Sequence, residues 1–121
     1  MVTTSDTTAT MHTLLRRYFG YEQFRPLQQE VIADVLGGND TFVLMPTGGG
    51  KSLCFQIPAL MLPGVTVVVS PLIALMKDQV DGLTAAGVPA TFINSTLDGA
   101  EADRRKSLVL SGQVKLLYVA P

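Results

Sequence analysis

Apolar residues gather in four short runs that predict buried β-strands. Each run is nearly continuous, which is typical of strands covered on both faces of a sheet. The runs span residues 42–45, 65–69, 91–93 and 116–119. The segments between them are long enough for helices, so the pattern indicates βαβ units and a parallel sheet. The predicted fold class is α/β, a three-layer parallel sheet with helices on both faces.

The segment before the first strand predicts a tail and two helices. Residues 1–10 are polar and rich in Thr, which predicts a disordered tail. Residues 11–18 predict a short helix that stops before Gly20. A second helix is expected from Pro26, a residue that suits the first helical position, to the glycine at Gly37.

Three further helices are predicted between the strands. The first opens near Lys51 and should bend or end near Pro58, because proline lacks the backbone N–H that a helix needs. The second has Ser70 at the N-cap position, with Pro71 directly after it. The third spans about 99–110 and is followed by a glycine.

One uncharged stretch has the composition of a membrane span. No residue from Ser52 to Met76 is charged. However, Pro58, Pro63 and Pro71 interrupt the stretch, and lipid cannot replace the backbone hydrogen bonds that prolines remove. We therefore interpret it as a buried strand between two helices and expect no membrane association.

Composition limits the classes of protein to which the chain can belong. Its 121 residues fit one domain, and a hydrophobic fraction of 47% is enough for a packed core. The net charge of -1 excludes binding of nucleic acid by bulk positive charge but permits a localised groove. Cys54 is the only cysteine, which favours a reduced, cytoplasmic setting, and no signal peptide is visible. Cys54 is expected to be a small buried hydrophobe, and His12 a surface residue.

The strongest motif is a glycine-rich segment between a predicted strand and a predicted helix. Its residues are Thr47, Gly48, Gly49, Gly50, Lys51 and Ser52. Consecutive glycines let the backbone amides wrap closely around phosphate oxygens. Lys51 supplies a positive charge for the β- and γ-phosphates of a nucleotide, and the Ser52 hydroxyl is placed to bind Mg²⁺. The segment therefore predicts a phosphate-binding loop.

The lysine of this loop strengthens the interpretation. Lys51 is the only charged residue between Asp40 and Lys77. A lone cation among glycines and apolar strands needs a partner, and a bound phosphate is the simplest one. The alternative is a flexible glycine turn followed by a lysine without a role. Met45 stands where the usual pattern has Gly, so only the Gly-Lys-Ser end of that pattern matches.

Three blocks of the chain resemble RecQ-type DNA helicases of helicase superfamily 2. They are residues 15–28, which lie before the phosphate loop, residues 45–60, which contain it, and residues 69–79, which resemble motif Ia. Residues 94–96 and 117–121 match weaker blocks of the family. The resemblance implies a RecA-like P-loop NTPase fold, incomplete at the C-terminus. Residues 11–121 would be the N-terminal part of the first motor domain.

The resemblance also implies an adenine site in the first block. Tyr21 and Arg25 would sandwich the adenine ring of ATP, and Gln28 would hydrogen-bond to its edge. The residue chemistry suits these roles, because an aromatic ring and a planar guanidinium both stack on a base, and an amide both donates and accepts. Phe19 and Phe24, in contrast, are expected to pack a helix corner. The implied cofactors are ATP and Mg²⁺.

Four polar residues are candidate DNA contacts by the same resemblance. They are Ser70, Lys77, Asn94 and Ser95. Hydroxyls and amides at the start of a helix suit the phosphates of a DNA backbone. A solvated helix face explains Lys77 equally well, and a turn that caps the next helix explains Asn94 and Ser95. The basic cluster at residues 104–106 shares its helix with acidic residues and is interpreted as a solvated face.

The resemblance identifies the chain as the N-terminal portion of an ATP-dependent 3′–5′ DNA helicase that acts in recombination and repair. The family's Asp-Glu-x-His motif, its second motor domain and its arginine finger do not occur in the sequence. Phosphoryl transfer needs such groups, so the portion alone is not expected to hydrolyse ATP. We expect it to aggregate or to be molten by itself. The expected partner is DNA at a junction of single strand and duplex, and the parent is expected to be a monomer.

Three other functions remain open from the residues. A small kinase would share the phosphate loop but would not explain the first block or the motif Ia block. A non-catalytic nucleotide- or DNA-binding module would need no catalytic acid. An RNA helicase, as among DEAD-box proteins, would contact the same phosphates that DNA carries.

Overall fold

The computed structural model describes residues 4–46 and 50–121. These residues belong to two compact units, Met1–Leu62 and Pro63–Pro121. The first unit is helical, and the second contains a parallel β-sheet with helices. Each unit carries a different part of the predicted site.

The described residues of the first unit form three α-helices. They are α1 (Thr4–Leu14), which continues into one π-helical segment (Leu15–Phe19), α2 (Gln28–Leu36) and α3 (Leu53–Met61). Met11, Leu15, Ile32 and Ile57 are each no more than 1% exposed and form the core of the unit. Phe19 and Phe24 are partly buried against this core, which confirms their predicted packing role.

The structure corrects the predicted disordered tail for residues 4–10, which form the first turns of α1. One local feature favours this helix. Asp6 places a negative charge in its first turn, where the helix dipole is positive. The hydroxyls of Thr10 and Thr13 donate to the carbonyls of Asp6 and Ala9, so both hydroxyls are satisfied within the helix. Met11 then anchors the helix in the core.

The predicted strand at 42–45 is wrong. Residues 41–46 have no regular secondary structure, and the side chains of Phe42 and Leu44 are 91% and 85% exposed. A strand needs a neighbour for its backbone N–H and C=O groups, and the described part of this unit contains no other strand. An apolar run therefore stays outside a sheet here.

Two helix boundaries of the first unit also differ from the prediction. α2 begins at Gln28 rather than at Pro26, because Leu27 adopts a left-handed conformation with φ 73°. α3 begins at Leu53 rather than near Lys51 and continues through Pro58 to Met61, so it ends shortly after the proline. The N–H of Leu62 donates to the carbonyl of Pro58 at 2.8 Å, so helical hydrogen bonding resumes after the proline.

The second unit alternates strands and helices, as predicted. Its elements are β1 (Thr66–Val69), α4 (Ile73–Ala85), β2 (Ala90–Ile93), α5 (Gly99–Leu110) and β3 (Leu116–Val119). All strand pairs are parallel, and the strand order is β1-β3-β2. The α/β class is confirmed, and the arrangement is consistent with part of a RecA-like fold. The three strands lie within one residue of their predicted bounds.

Burial within the sheet is uneven. In β3, the central strand, Leu116 and Tyr118 are at most 1% exposed, whereas Val67 and Val69 of β1 are 53% and 62% exposed. The expectation that the valines of β1 are buried on both sides is therefore wrong. β1 is an edge strand among the described residues, so only β3 covers its flank.

Ser70 does not cap α4. The helix begins at Ile73, and Leu72 before it has the non-helical angles φ -94° and ψ 80°. The Ser70 hydroxyl instead accepts a hydrogen bond from the N–H of Leu72 at 3.1 Å, which shapes the turn that leads into the helix. In the described part of the chain, no helix is both long and apolar enough to cross a membrane.

Candidate functional site

A cavity of about 350 Å³ in the first unit gathers most of the predicted nucleotide-binding residues. It lies between the loop that precedes α2 and the start of α3. Among the residues that line it are Tyr21, Arg25, Gln28, Gly50, Ser52 and Gln56. The structure therefore brings residues of the block at 15–28 and the end of the phosphate loop to one place.

Gln28 connects the two segments that form the cavity. Its side chain is 1% exposed, its Oε1 accepts the N–H of Arg25 at 2.7 Å, and its Nε2 donates to the carbonyl of Gly50 at 2.9 Å. A carboxamide has two donor hydrogens and two acceptor lone pairs, so these bonds occupy only half of its capacity. Gln28 can hold the loops and still present a donor and an acceptor to a ligand.

Gly50 lies directly against the side-chain amide of Gln28. Its φ is 81°, in the left-handed region that L-residues with a side chain rarely adopt. A Cβ at this position would collide with the Gln28 amide nitrogen. The last glycine of the loop is therefore required both by its backbone conformation and by its neighbour.

Tyr21 and Arg25 supply the flat surfaces at the mouth of the cavity. Tyr21 follows the left-handed residue Gly20, which ends the π-helical segment, and its side chain is 53% exposed. Arg25 is also exposed, and its backbone N–H is fixed by Gln28. An accessible ring and an accessible guanidinium beside one cavity are suited to stacking on a planar base.

The structure separates Lys51 from this cavity. Lys51 is exposed in the turn before α3, and it lines a second pocket of about 290 Å³ together with Cys54 and the apolar side chains of α2. Ser52, in contrast, lines the first cavity. Thr47, Gly48 and Gly49 lie outside the described residues.

Three residues near the site clarify earlier expectations. Cys54 is 6% exposed, and burial raises the pKa of its thiol, so the expectation of an inert buried side chain is confirmed.

His12 is partly buried rather than a surface residue, because it packs edge-on against Phe24 with 5.0 Å between ring centroids. Gln56 lines the cavity but was not predicted, although it is the only polar side chain of α3.

Three of the four candidate DNA contacts follow the ends of strands in the second unit, and the fourth, Lys77, lies in α4. Ser70 follows β1, and Asn94 and Ser95 follow β2. Val69 at the end of β1 and Ile93 at the end of β2 both align with Val119 of β3. The candidate contacts therefore follow the carboxyl ends of parallel strands, on the same side of the sheet. Neighbouring strands lie about 4.8 Å apart, which places the ends of β1 and β2 about 10 Å from each other.

The side chains at this edge are already engaged in turns. Asn94 Oδ1 accepts the N–H of Thr96 at 2.9 Å, and its Nδ2 contacts the Met76 sulfur at 3.6 Å. This geometry supports a turn at Asn94, but the turn does not cap α5, whose N-cap is Asp98. Asn94 can be both a turn residue and a DNA contact, because ligands bind outside the carboxyl ends of parallel strands, where this turn lies.

Lys77 is exposed and forms an ion pair with Asp81, with 2.7 Å between Nζ and Oδ2. The hydrogen bond from Lys77 to this carboxylate raises the pKa of the lysine. The ammonium remains charged at neutral pH, but part of its charge is compensated along its own helix.

The basic cluster of α5 is not uniformly solvated. The side chain of Arg104 is 61% exposed and that of Lys106 62% exposed, as predicted, but that of Arg105 is only 19% exposed. Arg105 turns toward β2, and its carbon Cζ lies 4.5 Å from the ring centroid of Phe92. The interpretation of Arg105 as part of a solvated face is therefore wrong.

Metal-binding chemistry at the site depends on few protein groups. Among the described residues, no group of three or more His, Cys, Asp or Glu side chains is placed to hold a metal ion. Ser52 offers a single hydroxyl, which suits an ion held largely by phosphate oxygens and water rather than by the protein.

Comparison with known proteins gives concordant matches. The DEAD/DEAH box helicase family pattern matches residues 25–121. The chain is 53% identical over 108 residues to the ATP-dependent DNA helicase RecQ of Haemophilus influenzae. That alignment covers 89% of this chain and 17% of the relative. The chain is also 53% identical over 109 residues to the RecQ of Bacillus subtilis, of which it covers 18%, and 47% identical over 114 residues to the RecQ-like DNA helicase BLM of Xenopus laevis, of which it covers 8%. The resemblance to RecQ-type helicases is confirmed, and the chain spans less than a fifth of the length of these relatives.

Proposed function

Because the chain belongs to the DEAD/DEAH box helicase family, we propose that it is the N-terminal portion of an ATP-dependent DNA helicase of the RecQ type. The observation that carries this proposal is the cavity in which Tyr21, Arg25 and Gln28 lie beside Gly50 and Ser52. A phosphate loop alone would also suit a kinase. The matches to helicases extend well beyond that loop, over residues 25–121 for the family and over 89% of the chain for a RecQ relative, and they favour a helicase.

The adenine end of the site is formed by three side chains. Tyr21 and Arg25 stack on the two faces of the base, and the remaining donor and acceptor of Gln28 pair with its edge. Adenine offers an amino donor beside the N7 acceptor, whereas guanine offers two acceptors there. The buried and fixed amide of Gln28 therefore favours ATP over GTP.

The phosphate end is formed by the loop. In the proposed complex, the backbone amides of the phosphate loop would surround the phosphates, Lys51 would neutralise charge on the β- and γ-phosphates, and the Ser52 hydroxyl would bind Mg²⁺. This role requires the flexible Lys51 side chain to turn from the second pocket toward the loop. Bound ATP·Mg²⁺ would supply the phosphoryl transfer that drives the motor.

The DNA end lies at the carboxyl edge of the sheet. Ser70, Asn94 and Ser95 contact successive phosphates of one strand, and Lys77 adds charge once Asp81 releases it. The proposed substrate is DNA at a junction of single strand and duplex. Translocation is proposed to run 3′ to 5′, in recombination and repair.

The remaining expectations follow from the same proposal. Residues 11–121 belong to the first RecA-like motor domain of a monomeric, cytoplasmic protein that does not associate with membranes. Because the chain spans less than a fifth of the Haemophilus influenzae and Bacillus subtilis proteins, the groups that complete phosphoryl transfer are proposed to lie elsewhere in the protein. The chain alone should not hydrolyse ATP.

Unwinding by the full-length protein tests the proposal. The substrates are DNA duplexes with a 3′ or a 5′ single-stranded tail and a matching RNA duplex, each with ATP or GTP. We expect strand separation with the 3′ tail and ATP, and about tenfold lower nucleotide affinity for Gln28→Ala, which loses the base-edge contact. Phosphate transfer to a small acceptor without unwinding would support a kinase instead. Unwinding of RNA alone would support an RNA helicase.

A further inference from the structure

Arg105 makes three contacts that its neighbours in the basic cluster do not make together. Its Nη1 donates to the backbone carbonyl of Phe92 at 2.9 Å, its Nε donates to Glu101 Oε1 at 2.9 Å, and its guanidinium lies over the Phe92 ring. Arg104 also contacts Glu101, at 2.7 and 2.9 Å, but remains mostly exposed. Arg105 therefore connects α5 to β2, whereas Arg104 stays on the helix surface.

The position of this contact on β2 gives it a structural consequence. Among the described residues β2 pairs only with β3, so its other flank is an open edge. A carbonyl on such an edge needs a donor from outside the sheet. Arg105 supplies that donor at Phe92, the next-to-last residue of the strand.

The fixed carbonyl lies directly before the candidate DNA contacts. Asn94 and Ser95 follow Phe92 after a single intervening residue. On the side of α4, Asn94 Nδ2 contacts the Met76 sulfur at 3.6 Å, and this sulfur is a weak acceptor. The bond from Arg105 is charge-assisted, so it is a strong restraint on the end of β2 in addition to the packing of α4 against that strand.

We infer that Arg105 is a positioning residue that holds the carboxyl end of β2 so that Asn94 and Ser95 face a DNA backbone. The inference rests on the proposed function, since it takes those two residues as DNA contacts. Arg105 itself touches no DNA in this arrangement. It preorganises the loop and so reduces the ordering that binding requires.

A lysine cannot replace this arginine. A guanidinium donates to two acceptors in fixed directions while its flat face covers an aromatic ring, whereas an ammonium is a point charge without that planarity. Arg105→Lys therefore keeps the charge and loses the geometry. Arg104→Lys is the matched control, because it changes the adjacent residue with the same partner, Glu101, on the exposed side.

The experiment measures single-stranded DNA binding and DNA-stimulated ATP hydrolysis by the full-length protein. The probe is a fluorescent oligothymidylate. We expect Arg105→Lys to weaken DNA affinity about tenfold and Arg104→Lys by less than about twofold. The KM for ATP and the rate at saturating DNA should not change, because the nucleotide cavity is untouched. In the double variant with Asn94→Ala, the two losses should not add, since Arg105 acts through that loop.

Each contrary result has a distinct meaning. Wild-type affinity in Arg105→Lys, equal losses in both lysine variants, or additive losses with Asn94→Ala would overturn the inference while leaving the proposed function intact. A parallel loss of ATP affinity and thermal stability would reduce Arg105 to a purely structural residue and would also overturn it. A wild-type protein that does not bind DNA would overturn the proposed function and this inference with it.

Discussion

At the scale of single residues, the contact between Gln28 and Gly50 decides the shape of the nucleotide cavity. The amide of Gln28 is buried and bonds to the backbone on both sides of the cavity. Breaking one of these bonds would leave a buried polar group unpaired, which costs about 1–3 kcal/mol. The glycine that permits the approach is therefore as important as the side chain that makes it.

Gly50→Ala should lower the stability of the protein by more than the loss of a left-handed glycine alone would. Gly38 has a similar φ of 83° against 81° at Gly50, but a Cβ there meets no atom within 4 Å. Both alanines should destabilise the protein by about 1 kcal/mol through backbone strain. Only Gly50→Ala should add about 1–3 kcal/mol for the collision and weaken ATP binding. Thermal unfolding and nucleotide titration of both variants measure this, and equal effects would contradict it.

The carboxylate of Glu101 gives a pH prediction. Hydrogen bonds from Arg104 and Arg105 lower the pKa of Glu101 from 4.5 to about 2. Because the folded pKa is below the unfolded one, the stabilisation is complete above about pH 4.5 and is lost as the pH falls toward about 2. In the full-length protein, Glu101→Gln should therefore melt at a lower temperature than wild type at pH 6, and the gap should close toward pH 2. A gap of constant size from pH 6 to pH 2 would contradict the assignment, and Asp103→Asn serves as the exposed control.

At the scale of elements, α5 has the clearest local stop and start signals. Asp98 Oδ1 accepts the N–H of Glu101 at 2.8 Å, which satisfies one of the unpaired donors of the first turn. Asp98→Ala should destabilise the helix by about 1 kcal/mol, whereas Asp98→Asn should be nearly neutral, because Asn also caps. Hydrogen exchange of the amides at 99–101 measures the difference. Equal protection in both variants would contradict a capping role.

Elements with local signals could be predicted from the sequence, and elements that depend on distant partners could not. The bounds predicted for α5 agree with the structure because its cap and the glycine after it are encoded nearby. The strand at 42–45 failed because strand formation requires a neighbour, which an apolar run does not specify. In the same way, the resemblance indicated which side chains would meet in the cavity. It could not indicate the burial of Arg105, which depends on packing against β2, or the direction of Lys51, which depends on the turn that contains it.

At the scale of the whole molecule, the described residues expose much apolar surface. Phe42, Leu44, Val67 and Val69 are all more than half exposed. Exposed apolar side chains together with an open strand edge favour association. We expect the 121-residue chain, when isolated, to bind an apolar dye, to aggregate and to lack a sharp thermal transition.

Two substitutions make this expectation sharper. Phe42→Ser should increase the solubility of the isolated chain, because Phe42 is 91% exposed, whereas Phe92→Ser should decrease it, because Phe92 is 9% exposed and packs under Arg105. Sedimentation and dye binding measure both. A soluble wild-type monomer that unfolds in one cooperative transition would contradict the expectation that the exposed apolar surface causes aggregation.

The most direct test of the proposed function is steady-state ATP hydrolysis by the full-length protein, with and without single-stranded DNA, for wild type and Lys51→Ala. We predict hydrolysis that DNA stimulates strongly in wild type and that falls at least about a hundredfold in the variant, because the β- and γ-phosphates lose their cation. Hydrolysis that does not respond to DNA, or that survives Lys51→Ala, would contradict an ATP-driven DNA motor built on this phosphate loop.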